Sequence, residues 1–228
     1  MNFQRYAMYF TPGDGPFAAF GARWLGWDIQ TGSTRPHPDI PGLPAPVARL
    51  TESPRRYGFH ATLKPPFRLA ENCDVATMQT RIDALASQIA PILLPGLELV
   101  ALGRFLALVA APPSSGLNAL AGTLVRDLDD FRARPRRQDQ DARRAPRLTP
   151  SQVRNLTEWG YPFVMEDFRF HITLTGPLAK PDAASTMSAL APVLENVVPK
   201  PALIDSVTLA GECDQGRFHQ ISRHRLTG

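Results

Sequence analysis

Cysteine is scarce in this chain, and what there is does not pair. Cys73 and Cys213 are the only two among 228 residues and stand in unrelated contexts, with no Cys-x-x-Cys. That argues against a zinc site or a redox motif, and both read as ordinary thiols. Long apolar runs are missing too. Nothing approaches the roughly 20 residues needed to span a bilayer, and the opening Met-Asn-Phe-Gln-Arg-Tyr-Ala has no apolar segment of the kind a secretory signal carries. These absences predict a soluble, cytoplasmic protein with no membrane partner. Charge of one sign is only mildly in excess, a net +4 with a sequence pI of 9.4. Such a balance tolerates anionic ligands without requiring nucleic acid.

A hydrophobic fraction of 43% supports a real core, and 228 residues exceed the usual domain without reaching two. The expectation is one two-lobed domain over 1–228. Strands are expected at Arg5 to Phe10, 57–69, 97–102, 105–111, 203–210 and 218–226, from alternation and turn signals. Helices are expected at 16–27, 75–90, 116–131, 149–159 and 183–194, from apolar steps of three and four residues. Gly32 to Pro54 is rich in proline and reads as a loop. An arginine-rich insert at about 132–154 has almost no apolar residue over 132–147 and cannot bury enough surface to fold by itself.

Two stretches organise the rest. Arg56-Tyr-Gly-Phe-His60-Ala-Thr62-Leu-Lys64 and Phe168-Arg169-Phe-His171-Ile-Thr173-Leu-Thr175 each hold a His-x-Thr-Leu tetrad in an apolar-alternating run. On a strand, residues two apart share a face. His60 and Thr62 therefore look one way and Phe59, Ala61 and Leu63 the other, and the second copy repeats the phase. Each motif is preceded by a strand and a helix and followed by a helix and strands, an internal duplication of element order. This predicts an α+β fold of two lobes related by a pseudo-twofold axis. Each lobe would be an antiparallel sheet with helices on its outer face, and the two motif strands would line a central cleft.

Two histidines facing across a cleft can divide acid and base work, one neutral imidazole taking a proton while the other, protonated, gives one. Threonine hydroxyls beside them are fixed donors to an anionic oxygen. The combination suits phosphodiester hydrolysis without a metal or other cofactor. A metal ion would want a third protein ligand, and no carboxylate or histidine stands in phase with either motif. Strand phase adds Lys64 and Arg169 as candidate phosphate neutralisers; for each, a strand-end cation reaching water fits equally well. The rival class is a phosphate- or RNA-binding module, with Arg132 to Arg154 as its docking surface and Trp159 and Tyr161 as stacking faces.

The paired His60-Ala-Thr-Leu and His171-Ile-Thr-Leu resemble the signature of the 2H phosphoesterase superfamily, which includes cyclic phosphodiesterases and RNA end-processing proteins. Arg5-Tyr-Ala-Met-Tyr-Phe, Tyr57-Gly-Phe-His-Ala-Thr-Leu-Lys-Pro-Pro-Phe and Gly160-Tyr-Pro-Phe-Val-Met-Glu-Asp-Phe-Arg-Phe-His-Ile-Thr-Leu-Thr-Gly are similar to the branch encoded in bacterial phosphonate-utilisation operons. The resemblance covers essentially the whole chain. It implies catalytic His60 and His171, with Thr62 and Thr173 around a phosphate. The implied substrate is a small phosphodiester such as a sugar cyclic phosphate from phosphonate breakdown. For the superfamily at large it is a nucleotide-like or RNA 2′,3′-cyclic end. The expected state is a monomer.

Overall fold

The computed structural model describes residues 2–134 and 148–228. The centre of the arginine-rich insert, 135–147, lies outside them. In chain order the elements begin with β1 (Arg5–Phe10), α1 (Pro16–Leu25), β2 (Trp27–Asp28), β3 (Ser33–Thr34), α2 (Val47–Leu50), α3 (Glu52–Arg55), β4 (Ala61–Phe67), α4 (Val75–Ala86), β5 (Ile92–Leu94) and β6 (Leu97–Leu102). They continue with β7 (Phe105–Ala110), α5 (Ser115–Asp127), α6 (Pro150–Trp159), β8 (His171–Thr173), α7 (Lys180–Val197), β9 (Ala202–Ile204), β10 (Ser206–Glu212) and β11 (Phe218–Arg225).

Local chemistry sets most of these boundaries. Asp74 accepts from the Thr77 amide at 2.8 Å and opens α4, whose Met78, Ile82 and Ala86 form the buried stripe. Ser114 opens α5 in the same way. Thr149 and Gln152 form a capping box around Pro150 at the start of α6. Left-handed Gly26 and Gly160 end α1 and α6. The expected loop at 32–54 holds β3 and the single-turn helices α2 and α3. There packing of Val47 and Leu50 decides the conformation, since four residues are too short to show a period. The expected strand at 203–210 is two strands parted at Asp205: β9 pairs with β5, and β10 enters the large sheet.

That sheet has seven strands in the order β11-β10-β1-β4-β8-β7-β6, all neighbours antiparallel. The duplication is explicit in it. The order β1-α1-β4-α4-β5-β6 is repeated as β7-α5-β8-α7-β9-β10, and exchanging each element for its mate leaves the sheet order from β10 to β6 unchanged. The exchange also shows something the chain order hides. The tight turn at Gly103-Arg104 puts β6 beside β7, and β10 lies beside β1, so each lobe is completed by the last strand of the other half.

Helices α1, α4, α5 and α7 pack with one sheet face in a single apolar cluster, to which β1 gives Tyr6, Met8 and Phe10, β4 gives Ala61 and Leu63, and β8 with the residue after it gives Ile172 and Leu174. The opposite face carries a smaller cluster of Ala7, Tyr9, Ile29, Ala210 and Phe218, with Tyr57 against it. Among the described residues no helix is long and apolar enough to cross a membrane.

Helix α1 is tied to the motif strands at two points. Trp24 Nε1 donates to the Leu174 carbonyl at 2.7 Å. Gly21 leaves the space in which the Phe59 ring lies, since a Cβ built there would be 2.0 Å from that ring. Gly21→Ala is therefore expected to cost about 1–3 kcal/mol through overpacking, readable as a lowered urea midpoint, and to disturb the segment leading into His60. An unchanged midpoint would show that the ring relaxes without strain.

Candidate active site

The two motif strands meet at the middle of the sheet through one residue pair, Ala61 opposite Ile172. Antiparallel register then sets His60 against Thr173 and Thr62 against His171. Phe59, Ala61 and Leu63 are buried, as are Phe170, Ile172 and Leu174, whereas His60, Thr62, His171 and Thr173 keep partial exposure. The four polar side chains thus share the face opposite the helices. The histidines are diagonal neighbours, a relation that places two residues about 7–8 Å apart, within reach of long side chains, and the charge of His171 is among the influences on His60.

Each imidazole is held in the same way. His60 Nδ1 donates to the Gly58 carbonyl at 2.9 Å, and His171 Nδ1 to the Arg169 carbonyl at 2.8 Å. A carbonyl only accepts, so the proton of each neutral ring resides on Nδ1 and each Nε2 keeps its lone pair. At His60, the Thr62 hydroxyl lies 3.1 Å from Nε2 and can donate to it. Gly58 is needed for its lock: its φ is +73°, and an added Cβ would be 2.6 Å from Ile29 Cβ.

The surroundings of the two rings differ. Tyr9 lies opposite Thr62 on β1, and its mate by the duplication, opposite Thr173 on β7, is Ala107. The Tyr9 ring centroid is 3.9 Å from that of His60, and the Tyr57 ring is 5.8 Å away. At His171 the neighbouring ring is Phe105 at 5.9 Å. Enclosure lowers the His60 pKa to about 4, chiefly by penalising the charged imidazolium; the Gly58 carbonyl opposes this and His171 adds to it. His60 is therefore neutral near pH 7.

Lys64 does not join this group. Tyr9 is opposite Thr62 but Met8 is opposite Lys64, so β4 advances two residues while β1 advances one. That bulge reverses the side-chain phase. Lys64 consequently points to the helix side, buried, with Nζ donating to the Val125 carbonyl at 2.9 Å and 3.5 Å from Asp129 Oδ1. It steadies the C-terminal end of α5, where a cation offsets the helix dipole, and burial lowers its pKa to about 8. Thr175, in phase by sequence, is turned inward to accept from the Leu106 amide at 3.0 Å. Arg169 is exposed, and its carbonyl rather than its guanidinium touches His171. Unanticipated participants are Tyr9, Tyr57, Gly58 and Phe105. Only the odd-residue phase of Arg5, Ala7 and Tyr9 on β1 hinted at one of them.

A recess of about 410 Å³ opens between α1 and residues 27–31, lined by Asp14, Arg23, Asp28 and Arg35 among others. Neither histidine reaches it, so the chemistry and not the volume identifies the site. Among the described residues no three His, Cys, Asp or Glu side chains converge.

Burial of neutral His60 has a consequence for stability. Above about pH 6.5 neither the folded nor the unfolded chain protonates this group, and its contribution is whole. As pH falls from 6.5 toward 4 the unfolded chain gains a proton that the folded one refuses, and stability drops by at most about 1.4 kcal/mol per pH unit. Urea titrations at pH 7, 5.5 and 4.5 should show this loss, and His60→Asn should flatten it. Equal slopes for the two proteins would contradict the burial.

The chain is 36% identical over 214 residues to a protein of Janthinobacterium sp. (strain Marseille) named ribose 1,5-bisphosphate phosphokinase PhnN, covering 91% of this chain and 47% of that one. It is 31% identical over 223 residues to the protein of the same name from Laribacter hongkongensis (strain HLHK9), covering 96% and 51%. It therefore spans about half the length of these curated relatives. Among solved structures, E. coli LigT in apo form aligns over 100% of both chains at 17% identity with a TM-score of 0.46. The family described as protein of unknown function (DUF1045) matches residues 62–219, from inside the first motif through all of the second, and the chain belongs to that family.

Proposed function

We propose that the protein is a phosphodiesterase that opens a small cyclic phosphodiester by metal-independent acid–base catalysis, with His60 and His171 as the two proton carriers. The observation that carries this reading is the twofold repetition of one device: an imidazole locked through Nδ1 to the carbonyl two residues back, which leaves Nε2 as the proton-exchanging atom, with a threonine on the same sheet face. A structural histidine pair has no need of matched tautomers.

In the step that follows from this geometry, a phosphodiester lies between the two Nε2 atoms. Neutral His60 takes a proton from water as the water oxygen forms its bond to phosphorus. The ring P–O bond breaks on the far side, and protonated His171 gives its proton to the departing sugar oxygen. Substrate displaces the Thr62 hydroxyl from His60 Nε2, so that Thr62 and Thr173 can donate to the non-bridging oxygens. The product is a phosphomonoester with one free sugar hydroxyl. Arg169, exposed on the same flank, is available to offset phosphate charge.

For the substrate, the relatives' name supplies the best lead. Opening a cyclic phosphate at C1 of ribose 5-phosphate, with the phosphate retained on C1, would release a ribose 1,5-bisphosphate, the compound named for those half-matching kinases. A second reading, an enzyme or binding module for RNA 2′,3′-cyclic ends, is favoured by the half-exposed Phe163 ring, edge-on to Tyr161 at 5.8 Å, which offers a base a stacking face.

Purified protein with EDTA present should hydrolyse a ribose cyclic phosphate faster than nucleoside 2′,3′-cyclic phosphates or RNA ends, with a bell-shaped dependence of rate on pH. Turnover only of RNA ends would favour the second reading. His60→Ala and His171→Ala should each cost about 10²- to 10⁴-fold, and Thr62→Val or Thr173→Val about 1.5–3 kcal/mol. Activity abolished by EDTA and restored by a divalent ion, or indifferent to loss of both histidines, would overturn the proposal.

A further inference from the structure

Among the described residues one buried side-chain oxygen or nitrogen has no hydrogen-bond partner, the Tyr9 hydroxyl. Leaving such a group unpaired costs about 1–3 kcal/mol, and native structures seldom tolerate it without a use. Burial holds the phenol far from ionisation at neutral pH, so it is a hydroxyl donor. Tyr9 and Tyr57 pack on the same Phe218 ring, with centroids 5.6 and 5.3 Å away, and Phe218 and Arg5 flank Glu212 on either side of β10; with Arg56, whose carbonyl pairs with the Phe218 amide, these groups form one corner of the open face. The Tyr9 ring is also packed on His60, centroids 3.9 Å apart.

The corner is rigidly built. Arg5 pairs with Glu212 through Nε to Oε2 and through Nη2 to Oε1 at 2.6 Å, which leaves Arg5 and Glu212 neutral as a unit. Arg56 contacts the Tyr57 hydroxyl through Nη2, and its guanidinium carbon is 4.5 Å above the Tyr57 ring centroid. The Arg56 carbonyl accepts from the Phe218 amide at 2.8 Å, fixing the backbone of this segment to β11. Of the two cations and one carboxylate here, Arg56 is the one without a carboxylate partner among the described residues, and its side chain is exposed. The Tyr57 ring beneath it is 5.8 Å from the His60 ring. One positive charge and two phenol hydroxyls, of which that of Tyr9 has no partner, thus stand next to the His60 imidazole yet outside the His-x-Thr group.

We propose that Arg56, Tyr57 and Tyr9 form a subsite for a second phosphate of the substrate, carried on the same sugar as the cyclic ester opened between His60 and His171. This rests on the phosphodiesterase reading and narrows it. Arg56 supplies the charge and a planar donor pair, the Tyr57 hydroxyl a second donor, and the Tyr9 hydroxyl gains the acceptor it lacks when Tyr57 and Arg56 turn onto the ligand. The mate of Tyr9 is Ala107, so the duplicated half of the cleft has no equivalent donor. Such a subsite favours a sugar whose second phosphate is a terminal, dianionic monoester over an RNA end, whose 5′ phosphate is a singly charged diester continuing into a chain.

The experiment uses two substrates that differ only in that group, a ribose 1,2-cyclic phosphate with and without a 5-phosphate. Wild-type protein should prefer the 5-phosphorylated compound. Arg56→Gln should reduce the preference, as a ratio of kcat/KM values, by about 10- to 100-fold, the worth of a charged hydrogen bond, chiefly through KM. Tyr9→Phe, which preserves the packed ring, should reduce it several-fold. An unchanged preference in Arg56→Gln overturns the subsite, as does a Tyr9→Phe protein that is more stable and kinetically silent. If neither compound is turned over, the catalytic reading fails, and the subsite is judged separately by calorimetric titration with ribose 5-phosphate. Binding weakened at least tenfold by Arg56→Gln supports it, and equal binding by both proteins overturns it.

Discussion

A single antiparallel contact, Ala61 against Ile172, joins the two halves of the sheet and fixes everything that the site can do. Slipping either strand by one residue would turn its histidine and threonine toward the helices and bring its three apolar side chains to the open face. The apolar phase prevents this. Phe59, Ala61 and Leu63, with Phe170, Ile172 and Leu174, belong to the cluster that α1, α4, α5 and α7 cover, so the register is stabilised by the whole core and not by the short contact itself. The strand exchange strengthens the arrangement. With β6 beside β7 and β10 beside β1, neither half can complete its sheet alone. Geometry between the histidines is thereby coupled to global folding.

On this symmetric frame the chemistry is asymmetric, and the asymmetry traces to particular side chains. Both imidazoles are locked through Nδ1, yet Tyr9 closes one ring in where Ala107 stands by its counterpart. The ring under Tyr9 is kept neutral by enclosure, which suits a proton acceptor. A duplicated fold provides two equal groups; one large-for-small difference between matched strand positions gives them unequal surroundings, and in the proposed reading unequal tasks.

Much of this was legible in the chain because it depends on period and local caps. The alternation around His60 and His171 specified the shared face, and Asp74, Thr149 and Gly160 are residues of the cap type that stand at helix ends in the fold. What escaped depends on pairing. Lys64 is two residues past Thr62 and looks in phase, but the bulge appears only in the register against β1. Strand β5, Ile92–Leu94, is too short to display alternation and exists because β9 pairs with it. Gly58 and Arg169 matter through their carbonyls, which no side-chain pattern reports. Tyr9 could be placed on a strand, but its closeness to His60 needed the neighbour relation between β1 and β4. The interior of the arginine-rich insert, 135–147, lies outside the described residues.

Two half-sites that form one phosphate site must respond together. The most direct test is an NMR titration that follows the imidazole Cε1–H signals of His60 and His171 while inorganic phosphate is added to the intact protein. Both signals should move along one saturation curve with a stoichiometry of one, and Thr62→Val should weaken the response of both rings together. Two independent curves, or a response confined to one histidine, would contradict it.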